Sequence, residues 1–312
     1  MLLRPAYAGA VSESRRGFLF GVAAYVMWGA FPLYWSLLDR SGAFEILAHR
    51  VVWSALVMGV LVLALRRTPH FRRLLHDRRS ASLLAVAAVL VSANWVTYIW
   101  SVNHGRVVES SLGYFINPLV SVLLGIFVLG ERLRRLQWVA MGIAAVAVGV
   151  LTVDLGRPPW VALVLAGSFG TYGLAKKLAN VEAIESLAFE TLLVAPLAAS
   201  YLVWLGAHHD ASFSAHGIEY SWLLMSTGIV TAVPLICFGA AAIRVPLVTI
   251  GLLQYLAPIL QFGLGVLWFR EDMPPGRWVG FFLVWLALAL FTSEAIRHRH
   301  RQLQLAASAA AM

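Results

Sequence analysis

The chain has 312 residues, 60% hydrophobic and 12% charged, with a mean hydropathy of +0.78. Soluble domains run at roughly 45–50% apolar and about 25% charged, so a soluble enzyme, a disordered chain and a disulfide scaffold are excluded, and the alternating strands of a membrane β-barrel would average to a lower hydropathy. The class left is an all-α polytopic membrane protein; its net charge of +9 sits mostly in short runs between apolar segments, which points to membrane orientation and not to nucleic acid.

A hydrocarbon core about 30 Å thick takes about 20 apolar residues per helix. Such runs fall at 17–38, 44–65, 81–103, 110–130, 136–154, 158–175, 181–206, 219–240, 246–269 and 278–296. The first is followed by Asp39–Arg40 without a small-x-small site, which predicts an uncleaved first helix. The second carries Glu45, His49 and Arg50. A charge at the bilayer centre costs about 2.5–3.5 kcal/mol and faces a partner or a cavity. Glu45 and His49 share a face at i,i+4. Arg50 lies about 100° further round and suits a central pathway as an anion-binding or gating group; a structural ion pair or snorkelling is the alternative. The connection 66–80 holds six arginines and is expected to face lipid headgroups.

The third span offers Asn94, Tyr98 and Ser101, and the fourth Tyr114, Asn117 and Ser121, each set on one helical face. The seventh carries Glu185 and Glu190. Arg50 and Glu190 each lie about 8 Å inside opposite ends of the core, so they are expected to mark two ends of one pathway, roughly 15 Å apart, and not to pair. The connection 207–218, with His208, His209, Asp210 and His216, reads as an exposed polar loop and not as a metal site. Cys237, the only cysteine, reads as a small core residue and precludes an intramolecular disulfide. In the ninth span Gln254, Ala257 and Gln261 repeat the stripe of the fourth. These stripes suit a cavity between two halves, or interhelical hydrogen bonding. Pro118 and Pro258 remove helical hydrogen bonds and suit hinges or static kinks. Gly17, Gly21, Gly142, Gly149, Gly167, Gly170 and Gly173 suit close helix contacts, and Trp28, Trp95, Trp100 and Trp138 suit interfacial anchoring or packing.

With the N-terminus cytoplasmic, inside segments hold 18 Lys and Arg and outside segments 5, with Arg50 in a span. That asymmetry predicts ten spans with both termini inside. The chain also matches itself at an offset of 140: Pro118, Gly125, Glu131 and Trp138 fall on Pro258, Gly265, Glu271 and Trp278, and Glu45, Leu47 and Ala48 on Glu185, Leu187 and Ala188. Residues 17–156 and 157–296 are therefore expected to be two five-helix repeats, with tails at 1–16 and 297–312. Five is odd, so the second copy would insert upside down, as in many transporters.

The string Ser111-Leu-Gly-Tyr-Phe-Ile-Asn-Pro-Leu119, with Leu129-Gly-Glu-Arg132 and Gln137-Trp138, resembles the EamA pattern of the drug/metabolite transporter superfamily. Glu45-Ile-Leu-Ala-His-Arg50, Asn94-Trp95 and 228–238 narrow the resemblance to its RarD-type members. It covers nearly the whole chain and implies a ten-helix inner-membrane transporter with two EamA-like halves and a family link to chloramphenicol sensitivity. The second half departs from the pattern, with Arg270-Glu271-Asp272 for Gly130-Glu131-Arg132 and Ala257 for Asn117.

These readings converge on a secondary active or facilitative transporter of small metabolites or drug-like molecules. Arg50 would attract a carboxylate or other anion, while Tyr98, Tyr114, Asn94, Asn117 and Gln254 supply stacking and hydrogen bonds. Protons coupled through Glu45, His49 or Glu190 and simple uniport are equally compatible. The expected partners are a small-molecule substrate and membrane lipid, with no nucleic acid. No Walker A loop, H-E-x-x-H pair or G-x-S-x-G elbow occurs, and no metal or cofactor is expected. A membrane-embedded enzyme lacks a converging nucleophile or metal set; a sensor or assembly partner without transport is the remaining rival.

Overall fold

The computed structural model describes residues 4–129, 135–213, 215–242, 244–245 and 253–310, and every regular element among them is helical. α1 (Arg4–Trp35) ends in a 3-10 turn, Ser36–Leu38. α2 (Ala43–Ala64) begins after Gly42 and carries Glu45 in its first turn. α3 (Thr68–His76) has Pro69 in its first turn, where a missing N–H costs nothing. α4 (Arg78–Asn103) is capped by Asp77; the hydroxyl and backbone N–H of Ser80 hold its carboxyl below the usual carboxylate range. α5 (Val107–Leu129), α6 (Arg135–Leu155) and α7 (Trp160–Ala179) follow, and α7 ends on Asn180 in the left-handed region at φ 51°. α8 (Ala183–Ala207) and α9 (Ile218–Ala242) lead to α10 (Leu256–Gly263), which continues into a π-turn, Leu264–Trp268. α11 spans Pro275–Ala310.

Among the described residues, seven helices are long and apolar enough to cross a membrane. Large apolar side chains cover the outside: Phe127 is 81% exposed, Val153 83% and Leu197 74%. A soluble monomer rarely shows such a surface, whereas lipid matches it. The fold is that of an all-α polytopic membrane protein.

α2 and α8 pack together centrally, with Met58 and Val62 against Leu187 and Ala188. Around them α4 packs on α7, α1 on α9, α5 on α7, α1 on α10 and α6 on α11. Small residues allow the closest approaches. A Cβ on Gly29 would come within 3 Å of Leu260, and one on Gly228 within 3 Å of the Trp53 backbone. Gly17, Gly21 and Gly170 also face neighbours, but Gly142, Gly149, Gly167 and Gly173 meet nothing within 4 Å. Four of these seven glycines therefore do not mark a close helix contact.

The connection 66–80 is not a plain loop, because α3 forms within it. Phe71 and Leu74, three residues apart, share a face and pack with Leu84, Ala179 and Phe189. The ninth apolar run is interrupted: residues 254–255 form a turn, and α10 starts only at Leu256. Helix α1 reaches back to Arg4 and α11 on to Ala310, beyond the apolar runs. Gly130-Glu131-Arg132 lies outside the described residues.

Candidate functional site

Arg50 is 4% exposed, the only buried Lys or Arg among the described residues. Its guanidinium carbon stands 3.8 Å from the Trp95 ring centroid, 5.0 Å from that of Trp35 and 5.9 Å from that of Phe31. The phenols of Tyr114, Tyr34 and Tyr98 are near enough to interact with it electrostatically. Its Nε has no hydrogen-bond partner, and no described carboxylate forms an ion pair with it. Burying an ion still costs several kcal/mol after relaxation, whereas a desolvated cation–π contact returns about 2 kcal/mol. The aromatic cage offsets part of this cost, and no described anion neutralises the charge.

A hydrogen-bonded chain runs beside the cage. The Tyr114 hydroxyl donates to Asn94 Oδ1 at 3.3 Å, and Asn94 Nδ2 donates to the Leu165 carbonyl and Ser168 Oγ of α7, each at 3.0 Å. Tyr34 donates to the Leu223 carbonyl of α9 at 2.9 Å and bonds Ser226 Oγ at 2.8 Å. The cluster therefore joins α1, α2, α4 and α5 to α7 and α9. The rings of Tyr98 and Tyr114 stand 5.6 Å apart, and the Tyr98 hydroxyl and Trp35 Nε1 are buried without partners.

The other candidates lie apart from Arg50. Both Glu45 oxygens are taken by Ser212, through its backbone N–H at 2.6 Å and its hydroxyl at 2.8 Å. Glu190 accepts from Lys176 Nζ and Ser186 Oγ, both at 2.8 Å, and from Tyr172 at 3.2 Å, so its cation is Lys176. His49 Nδ1 accepts from Trp53 Nε1 at 3.3 Å. Indole only donates, so the ring proton belongs on Nε2, which is buried without a partner. The His49 ring stacks on Phe213. Asn117 Oδ1 is buried and unpartnered beside Gly170, whereas Ser121 is exposed and bonds back to its own helix. Gln254 sits in the turn before α10, next to Tyr255. Gln261 Nε2 donates to the Trp28 carbonyl, leaving its Oε1 unpartnered. Pro118 lies inside an unbroken α5, while Pro258 occupies the first turn of α10, so the two prolines are not equivalent.

Carboxylates also fasten the two ends of the bundle. At the basic end Glu185 accepts from Arg67 Nη1 at 3.1 Å. At the opposite end Glu109 pairs with Arg157 at 2.7 Å and accepts from the Val161 N–H. Glu271 accepts from the N–H groups of Val107 and Val108 at the start of α5, and burial lifts its carboxyl above the usual carboxylate range. Among the described residues no group of His, Cys, Asp and Glu is placed to hold a metal.

The sequence alone suits Trp95 to interfacial anchoring or packing and singles out neither Phe31, Tyr34 nor Trp35. The i,i+4 spacing of Phe31 and Trp35 on α1, and the adjacency of Trp95 to Asn94, were the available signals.

The EamA-like transporter family model matches residues 15–153. Protein RarD of Streptomyces exfoliatus is 58% identical over 292 residues, covering 94% of this chain and 93% of that one. Protein RarD of Escherichia coli K12 is 42% identical over 289 residues, covering 93% and 98%. The chloramphenicol-sensitive protein RarD of Pseudomonas aeruginosa is 33% identical over 296 residues, covering 93% and 97%. One crystal structure superimposes with a TM-score of 0.56 at 19% identity, over 90% of this chain and 98% of that one, a likeness of fold alone.

Proposed function

The chain belongs to the RarD group of the EamA-like transporters, and from that premise we propose that it moves small metabolites or drug-like molecules across the inner membrane by alternating access. Arg50 carries the reading: a buried cation with no carboxylate partner among the described residues, where helices of the first 140 residues of the bundle meet α7 and α9. A charge in a membrane interior that no anion neutralises marks a substrate pathway more often than a structural strut. In this reading Asn94, Tyr98, Tyr114, Asn117 and Gln254 complete the lining.

The reading takes 17–156 and 157–296 as oppositely inserted five-helix copies, with both termini cytoplasmic. Contacts that exchange in pairs at the 140-residue offset support it. α4 on α7 answers α9 on α1, and α5 on α7 answers α10 on α1. Gly170 faces Val120 as Gly29 faces Leu260. Such pseudo-symmetry lets one chain present similar arrangements to either side.

Uptake and efflux in proteoliposomes against a metabolite panel, with and without an imposed pH gradient, test the proposal. Saturable flux is expected for some member of the panel, and its loss in Arg50→Gln. Flux that responds to the gradient would add proton coupling through Glu45, His49 or Glu190. Absence of flux for the whole panel, or termini accessible from opposite faces, would sink it.

A further inference from the structure

The hydrogen-bonding inventory around Arg50 is lopsided, and that asymmetry describes a ligand. Three buried polar atoms of the cluster have no partner: Arg50 Nε, Trp35 Nε1 and the Tyr98 hydroxyl. The first two only donate, and the third can donate. The acceptors that bond within the cluster are already engaged. Asn94 Oδ1 takes the Tyr114 hydroxyl, Ser168 Oγ and the Leu165 carbonyl take Asn94, and the Leu223 carbonyl takes Tyr34. The buried carboxylates Glu45, Glu109, Glu185 and Glu190 each have their own donors elsewhere. An incoming group that only accepts would meet a fixed cation and free donors. An ammonium group would meet that same cation, with Asn117 Oδ1, beside Gly170, as the unpartnered acceptor left to it.

The surroundings constrain the rest of the molecule. Arg50 is flanked by the faces of Trp95, Trp35 and Phe31, with Tyr98 and Tyr114 beside it. Such faces favour a flat apolar body through stacking and edge contacts. Resting on the transport reading and narrowing its substrate, we propose that the Arg50 cluster binds the carboxylate of an aromatic or similarly flat organic monoanion and discriminates against the zwitterion and the amine of the same skeleton. The discrimination is chemical. A zwitterion brings a donor-only group into a site already rich in donors, and leaving that group unpaired in a buried place is what costs affinity.

Three probes sharing one ring separate the classes: phenylacetate, phenylalanine and phenethylamine. They are titrated against the purified full-length protein in detergent, with thermal melting and equilibrium binding as readouts. Phenylacetate is expected to raise the melting temperature, phenylalanine to bind at least about tenfold more weakly, and phenethylamine to give no shift. Arg50→Met should abolish phenylacetate binding while the protein still folds, because a flexible apolar chain replaces a buried charge that no described anion neutralises. Arg50→Lys keeps the charge but loses the planar fork, and should bind more weakly than wild type. Tyr98→Phe removes one free donor without changing shape and should weaken phenylacetate severalfold, which keeps the test decisive if Arg50→Met fails to fold. Equal or tighter binding of phenylalanine or the amine overturns the proposal. So does phenylacetate binding that is unchanged in these variants, or no phenylacetate binding at all. Flux measured separately divides the two readings: binding without flux leaves the ligand class standing and removes transport, and Arg50-independent flux of a neutral or cationic molecule does the reverse.

Discussion

Glu45 grips Ser212 across 167 residues of sequence, accepting from both its backbone N–H and its hydroxyl. Glu185, at the position 140 residues after Glu45, does the corresponding work at the other end by accepting from Arg67. Each first-turn carboxylate of the central pair, α2 and α8, is thus held by the segment that follows the other helix. The two clasps differ in chemistry. Ser212 offers neutral donors in a buried place, whereas Arg67 is an ion-pair partner with a third of its side chain exposed.

The buried clasp gives the first prediction. Glu45→Ala leaves the Ser212 N–H without an acceptor and should destabilise the protein by about 1–3 kcal/mol. Glu45→Gln keeps one acceptor oxygen and should lose less. Hydrogen exchange over 208–217 reads the local effect; exchange in Glu45→Ala as slow as in wild type would refute it.

The ionic clasp should respond to salt. Arg67→Ala strips the 4%-exposed Glu185 carboxylate of its cation and should lower the melting temperature in dilute buffer. Near 1 M salt, where the Debye length is about 3 Å, the gap to wild type should narrow. A gap that does not change with ionic strength would mean that Arg67 acts by packing alone.

Glycine substitutions should split by location. In Gly228→Ala the new methyl would meet the Trp53 backbone, which has no rotamer to yield, and overpacking of that kind costs about 1–3 kcal/mol. Gly142→Ala meets nothing within 4 Å, and replacing a helical glycine by alanine gains up to about 1 kcal/mol. Thermal melts of the two variants should move in opposite directions. Similar shifts would contradict the helix approach described for α2 and α9.

Glu271 should leave a signature in pH. Burial raises its carboxyl above the usual range in the folded protein, while in the unfolded chain a glutamate titrates near about 4.3. The folded state therefore binds this proton more tightly. Its advantage is complete below about 4.3 and is lost as pH rises through the folded value. Wild type should lose stability relative to Glu271→Gln across that rise, as read by unfolding at stepped pH. A difference that stays flat with pH would show that the carboxyl titrates as in water.

Much of the architecture is written in local patterns. Long apolar runs became helices because the backbone must satisfy its own hydrogen bonds in lipid, and Gly42 and Asp77 start α2 and α4 as cap residues do. Helix α3 was legible in principle: Pro69 at a first turn and Phe71 and Leu74 on one face are helix signals, obscured by six arginines. The candidate site was legible in part. An intramembrane Arg50 stands out by its cost alone, and Asn94 and Tyr114 by their spacing, but Trp35 and Tyr34 look like any aromatic of an apolar helix.

Composition and periodicity alone dictated a helical membrane protein with a costly cation in its second span, because those properties depend on each segment and its solvent. Which donor each carboxylate would claim was decided only by packing. Nothing local marks Ser212 for Glu45 or Lys176 for Glu190. Such partners are set by which helix faces meet, a long-range outcome of shape and close approach. By the same packing each buried carboxylate among the described residues found its donor elsewhere, and Arg50 was left with aromatic rings and free donors.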